Sequence, residues 1–458
     1  MTATLCEKSA SFIDEAKIQE ILEDARNYRS QRVRDALAKA RKLKGLDARE
    51  MAALMQVDDP VLLEELFAIA RAVKEEIYGN RLVLFAPLSI GSLCKNELNQ
   101  KALSQDEIAV EVKSLIDQGH KRLLLVAGGS CPEKEGFDSI LRVINTIYQT
   151  RSGRGEIRRV NVNIAPLTAE QFRELKAAKI GACQLFQETY HRETYAAVHP
   201  GATKRDFDWR LAAMDRAMKA GINDVGTGVR FGLYDWKFEL LALHQHIRHL
   251  EEQFGVTPHT ISVARIEPAA GSAMALRPPH VVSDPDFKKI VAILRLTLPY
   301  TGIILSTCEN ADTRRATFAL GVSQISAGSR ANPGGDTESL NGHDAEQFQP
   351  GDHRSLDEIV REVAALGYTP SFCTACYRPG RTGADFMDLA KPGLIKEHCG
   401  PNALSTCTEY LLDYASPETR RIGEALVNHN LKYLETPVRN IACGLVARVR
   451  ANQRDVFV

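Results

Sequence analysis

The sequence predicts an α/β protein built on a (β/α)8 TIM-type barrel, with helices before it and a helical C-terminal module after it. Three observations carry the prediction. From residue 81 onward, short runs rich in Val, Ile and Leu alternate with helix-compatible stretches. Apolar runs with helices between them are the mark of a parallel sheet buried on both faces. Eight such runs follow one another, and eight strand–helix units in roughly 250 residues match the size of this barrel. Unusual polar residues gather just past the ends of the runs, where a barrel of this kind places its chemistry.

Composition sets the frame. The chain has 458 residues, 58 Lys+Arg and 58 Asp+Glu, so no net field draws it to nucleic acid or an anionic membrane. It is 44% hydrophobic and 25% charged, as an ordinary globular protein is. No apolar run is long enough to span a bilayer, and the first residues lack the layout of a signal peptide. The ten cysteines are too few for a disulfide scaffold, which points to reduced thiols in the cytoplasm.

The elements follow in order. Residues 1–80 are expected as a helical extension: one charged helix within 12–45, carrying Ile13, Ile18, Ile21 and Leu22 at helical spacing, and a second from Asp47 through Leu63, Leu66 and Ile69 to Ile77. The barrel is expected over 81–330. Its strands are read at 81–88, 122–127, 160–165, 183–189, 224–231, 259–265, 302–307 and 323–328. Helices are read between them at 104–118, 136–151, 168–179, 203–220, 235–253, 284–298 and 309–320. A Gly-, Asp- and Pro-rich stretch opens a linker and helix over 331–367. Residues 368–458 are expected as a helical module, with helices at 384–394, 404–414 and 417–436.

The strand ends supply the first candidate site. They carry Gly128 and Gly129 after the second run, Glu188 and His191 after the fourth, Arg230 after the fifth and Arg265 after the sixth. A glycine pair offers bare backbone, Glu188 and His191 offer a carboxylate and an imidazole, and an arginine fork suits a carboxylate. Each arginine also reads as a structural ion pair, with Glu267 as an obvious partner.

The second candidate site is a cysteine triad. Cys373 and Cys376 form a CxxC, and Cys399 follows in the same module. Three thiolates are one short of an ordinary iron–sulfur cluster and one short of a closed zinc site. Such a site leaves one metal corner for something other than a protein sulfur.

At this point the residues resemble a family. Cys373-Thr-Ala-Cys-Tyr-Arg-Pro-Gly-Arg-Thr-Gly, Cys399 and Pro401-Asn-Ala are similar to the radical S-adenosylmethionine (SAM) tyrosine lyases of FeFe-hydrogenase maturation, which are 2-iminoacetate synthase-like. So are Ala86-Pro-Leu-Ser-Ile-Gly, Gln187-Glu-Thr-Tyr-His, Phe231-Gly-Leu-Tyr-Asp-Trp, Pro258-His-Thr-Ile-Ser and Ile325-Ser-Ala-Gly-Ser-Arg. The resemblance implies that a SAM-bound 4Fe-4S cluster starts radical cleavage of L-tyrosine. The products are p-cresol and dehydroglycine, and the latter becomes CO and cyanide. It implies that Cys373, Cys376 and Cys399 hold a second 4Fe-4S cluster where those ligands are captured on iron, with His259 holding an extra iron beside it. It implies SAM or substrate contacts at Gly128, Gly129, Glu188, His191, Arg230 and Arg265, and other hydrogenase maturation proteins as partners.

One stretch departs from the family. The first cluster calls for C-x3-C-x2-C after the first strand; Cys94 stands at the first position and the next cysteine is Cys131. The connecting loop is shortened, and two of the three ligands are lacking. Three readings follow: an active lyase, a degenerate relative that keeps the C-terminal cluster as an iron–sulfur carrier or scaffold, and a structural zinc or redox CxxC protein.

Overall fold

The computed structural model describes residues 11–92, 103–128, 134–201, 205–266, 273–329, 351–378 and 380–458. Eight parallel strands form the predicted barrel. They are β1 (Arg81–Ser92), β2 (Arg122–Gly128), β3 (Arg159–Asn163), β4 (Cys183–Gln184), β5 (Val225–Phe231), β6 (Thr260–Arg265), β7 (Gly302–Leu305) and β8 (Gln324–Ser326). Each pairs with the next, and β8 closes onto β1 through Val83–Gln324, Leu84–Ile325 and Phe85–Ser326.

Side chains alternate along β1. Leu82, Leu84, Ala86 and Leu88 face the surrounding helices and join the two large outer cores. Phe85 faces inward and meets Leu124 and Ile304 in a small separate cluster within the barrel. The strands are therefore buried on both faces, which is why they read as unbroken apolar runs.

The expected fourth strand is shorter than its pattern. Regular pairing stops at Gln184, although Leu185 and Gln187 still donate to Gly226 and Gly228 of β5 at 3.0 Å. Glu188 then turns to φ 71°, a left-handed conformation that a β pattern does not foretell.

The N-terminal region holds four helices where two were expected: Glu15–Ala25, Ser30–Arg41, Ala48–Met55 and Pro60–Tyr78. The second expected helix breaks at Asp59-Pro60. Asp59 caps the new helix by accepting from Leu62 N, and Pro60 sits in its first turn, where the lost N–H costs nothing. The helix expected at 203–220 is likewise two, Phe207–Leu211 and Ala213–Lys219.

The C-terminal module contains a strand that the sequence reading placed in no element. β9 (Thr369–Ser371) pairs with the first residues of β1, Arg81–Val83. Val83 is paired with β8 on one edge, so β9 takes the other edge, below the point where β2 begins its own pairing with β1 at Ala86. This short strand brings the cysteine segment to the N-terminal end of the barrel. Helices Ala384–Ala390, Ile395–Asp413, Pro417–Tyr433 and Thr436–Arg450 complete the module. The last of these also lay outside the sequence reading. Buried Arg158 and Glu409 tie the module to the barrel with Nη2–Oε1 at 2.6 Å, and Phe372 stacks on Tyr410 with centroids 4.8 Å apart.

Candidate functional site

The cysteine triad meets the floor of the barrel. Cys373, Cys376 and Cys399 line one cavity together with Arg81, Arg122 and Gln324, which open β1, β2 and β8. Asp224, just before β5, and His259, just before β6, line it too. This is the end opposite the rim that carries Glu188, Arg230 and Arg265. Two of the thiols come from the loop that follows β9 and the third from helix Ile395–Asp413, so the site exists only when the module is docked.

The thiols do not share one environment. Cys376 and Cys399 interact closely, and that contact, with the cations of Arg81 and Arg381, eases loss of a first proton from the pair. Loss of the second proton from the pair is correspondingly disfavoured. Burial pushes Cys373 up to about 11. A thiolate is the form that binds metal, so the pair as a unit is poised to give up its first proton.

His259 sits edge-on to Phe386 with ring centroids 4.3 Å apart, and burial lowers its basicity. Its Nδ1 is buried with no hydrogen-bond partner. Among the described residues no group of three His, Cys, Asp or Glu is arranged to hold a metal ion. Three thiols and an unsatisfied imidazole nitrogen around one cavity nevertheless form the donor set that a three-thiolate iron–sulfur cluster calls for. The residues present fit such a group by their chemistry.

The rim residues are placed differently from one another. Glu188 pairs with Arg210 (Nη2–Oε1 3.1 Å) and Arg230 (Nε–Oε2 3.1 Å). Burial works to raise its carboxyl, but Arg230 and Arg210 outweigh it and hold the group below the usual carboxylate range. Arg265 is engaged with side chains and backbone of the protein itself. Its Nε donates to Glu309 Oε1 at 3.0 Å, its Nη1 reaches Asp284 Oδ1 at 2.7 Å and Val282 O at 3.0 Å, and its Nη2 also contacts Glu309. Arg265 thus forms structural ion pairs with Glu309 and Asp284; Glu267 lies outside the described residues. His191 caps helix Arg192–Val198 by accepting from Thr194 N at 3.3 Å. It also stacks flat on Tyr234 at 3.8 Å. Gly128 ends β2 opposite Ser92. Gly129, Cys94 and Cys131 lie outside the described residues.

The first cluster that the resemblance implies has no matching donor set in the sequence. One cysteine, Cys94, follows β1, and among the described residues Cys308 is the one cysteine just past the C-terminal end of a barrel strand. No step is derived through a cluster at that rim.

The floor residues Arg81, Arg122, Arg159, Asp224 and Tyr377 were passed over in the sequence. A signal was there: Arg81, Arg122 and Arg159 each open a strand, and Asp224 directly precedes one. A charge at the first position of an otherwise apolar run marks the barrel end where it surfaces. Arg122 donates to Gln324 Oε1 at 3.2 Å and to the Tyr377 hydroxyl, joining two strands to the cysteine loop.

Comparison with known proteins agrees with this arrangement. Residues 262–369 match the Biotin and Thiamin Synthesis associated domain. The chain is 28% identical over 333 residues to the 2-iminoacetate synthase of Escherichia coli K12, covering 70% of this chain and 85% of that one. It superposes on the crystal structure of HydG, a maturase of the FeFe-hydrogenase, with TM-score 0.93 and 46% identity over 98% of this chain and 100% of that one. It superposes on HydG of Carboxydothermus hydrogenoformans with TM-score 0.82 and 38% identity, over 95% and 97% of the two chains. Methylornithine synthase, at 20% identity and TM-score 0.56, shares the fold. With 46% identity across 98% of this chain and the whole of the matched one, the chain belongs to the HydG family of FeFe-hydrogenase maturases.

Proposed function

We propose that the chain is a tyrosine lyase of FeFe-hydrogenase maturation, with substrate handled at the C-terminal rim of the barrel and the product captured at its floor. The observation that carries this is the three-thiol cavity with His259 at the barrel floor, in a chain similar to HydG over its whole length. In this reading Cys373, Cys376 and Cys399 hold a 4Fe-4S cluster, and His259 Nδ1 faces an added iron. Such a cluster, when bound, supplies one iron with an open coordination position. The cavity excludes bulk water through Phe386 and Tyr78, and Arg81 and Arg381 offset the charge of the thiolates.

At the rim, Glu188 fixes Arg230 and Arg210, and this charged group orients the carboxylate and amino ends of tyrosine or SAM. Gly128 and Gly129 offer backbone to the same ligands. His191 and Arg265 act by shaping the wall, since both are engaged within the protein. Other hydrogenase maturation proteins receive the product in the cytoplasm, and no helix of the described residues is long and apolar enough to cross a membrane. The degenerate carrier reading rests on the lone Cys94, and similarity at TM-score 0.93 does not favour it.

The test is direct. Iron-reconstituted, reduced protein is incubated with SAM and L-tyrosine. The proposal expects p-cresol and 5′-deoxyadenosine. Neither product, with the C-terminal cluster loaded, overturns the lyase and leaves the carrier.

A further inference from the structure

The thiol cavity does not lie against bulk solvent on all sides; it lies against another cavity. A groove of about 830 Å³ runs beside it, and Asp224, Thr374, Tyr377 and Thr382 line both. The two spaces therefore share a wall. Tyr377, next in sequence to Cys376, fills much of it. The Arg159 guanidinium lies 3.3 Å from its ring centroid on one side, and Arg122 donates to its hydroxyl.

The groove is basic. Arg158, Arg159, Lys176, Lys179 and Arg378 line it. Arg158 is neutralised by Glu409 and Arg378 by Asp455. Among the described residues Arg159 forms no ion pair, though the Asp224 carboxylate lies near enough to attract it, and its Nε is buried without a hydrogen-bond partner. Its head lies against Gly181, where a Cβ would come within 1.7 Å of that nitrogen, so the bare glycine is what makes room for it. Lys176 and Lys179 stand exposed at the edge. A half-buried guanidinium whose Nε is buried and unused, behind two exposed ammonium groups, is an arrangement that recognises a small carboxylate.

A different groove, about 470 Å³, reaches the thiol cavity from another side through Tyr78 and Arg81. It has the opposite character, with Glu75, Glu76, Glu397 and Glu435 against Lys396. The charge contrast makes the two routes separable by experiment.

We propose that the basic groove is the mouth of the thiol cavity, that it takes up small anions, carboxylates above all, through Arg159, and that Tyr377 is its door. The inference goes beyond the lyase reading and does not depend on it, since any chemistry at the three thiols needs a way in or out.

Metal-free full-length protein is treated at low salt with two thiol reagents of one size class. One is the anionic 2-sulfonatoethyl methanethiosulfonate, the other the cationic 2-(trimethylammonium)ethyl methanethiosulfonate. Labelling of half-buried Cys373 and Cys376 is followed by peptide mass spectrometry and divided by that of exposed Cys443 in the same molecule. This ratio cancels the intrinsic reactivity of each reagent. The proposal expects the anionic reagent to be favoured about tenfold, with the preference fading as salt rises. K176E with K179E, both at exposed positions, removes the preference, and Y377A speeds labelling by both reagents. A preference for the cation overturns the proposal and assigns the mouth to the acidic groove. No preference, or one that survives K176E/K179E, overturns it as well.

Discussion

Truncating Glu409 to Ala strikes the joint on which the thiol site depends. Glu409 lies in the same helix as Cys399 and holds Arg158 at the barrel floor by two bonds, Nη2–Oε1 at 2.6 Å and Nη1–Oε2 at 3.3 Å. The side chains are 5% and 4% exposed. Breaking a buried pair by removing one partner costs roughly 3–5 kcal/mol, because the remaining charge stays buried. Asp455 Oδ1 stands 3.4 Å from Arg158 Nη1 and is 33% exposed, so it covers part of that charge. The lower end, about 3 kcal/mol, is therefore expected. At ~1.36 kcal/mol per decade this is about a 150-fold faster opening of the module. Hydrogen exchange of amides in Ile395–Asp413 reads it, while β5 and β6 serve as controls. Glu409→Gln, which keeps an acceptor, should lose less. Acceleration under tenfold in this helix, or equal acceleration in β5 and β6, refutes the claim that this pair docks the module.

Three further outcomes follow from the same coordinates. Cys376→Ser removes a floor ligand; it should remove the floor cluster's share of the bound iron and visible absorbance while circular dichroism of the barrel stays unchanged, and a lost fold would make the triad structural instead. Glu188→Gly relieves the left-handed backbone at φ 71° but removes the counter-charge of Arg210 and Arg230, so tyrosine turnover should fall by roughly tenfold or more with cluster absorbance intact. Glu239 is buried against Thr189 and Tyr190, and burial raises its carboxyl to about 8. A carboxyl raised in the folded state contributes stability that is present below its ordinary range and is lost as pH rises through about 8. Between pH 6 and 8 the loss is on the order of 2 kcal/mol, so Glu239→Gln should flatten the thermal midpoint over that interval, and a parallel pH profile in the two proteins removes Glu239 as its source.

The barrel was legible because its strands are buried on both faces: runs such as Leu123-Leu-Leu-Val have no helical period to confuse them. The cysteine triad was legible because CxxC is a local signal. The position of that triad was not. It depends on β9, whose Thr-Pro-Ser carries no strand pattern and pairs with β1 only because the docked module presents it. The ion pair of Arg265 with Glu309 was not legible for a related reason. Glu267 is near in sequence, but Glu309 is 44 residues away and is brought beside it only when the sheet forms. Arg159, Asp224 and Tyr377 are single residues from three distant segments, and their meeting at the floor is a property of closure. Gly181 shows the same limit: its need to be bare follows from where Arg159 lies, which no local pattern records.

The account holds that the barrel's two ends do separable work, with tyrosine handled at the Glu188 rim and product captured by the thiols at the floor. Tyrosine turnover by the reconstituted parent and its Cys376→Ser variant, side by side, tests this most directly. The prediction is p-cresol from both proteins at comparable rates, with iron-bound CO and cyanide bands in the infrared from the parent alone. Loss of p-cresol in the variant, or its absence from both proteins, would contradict the account.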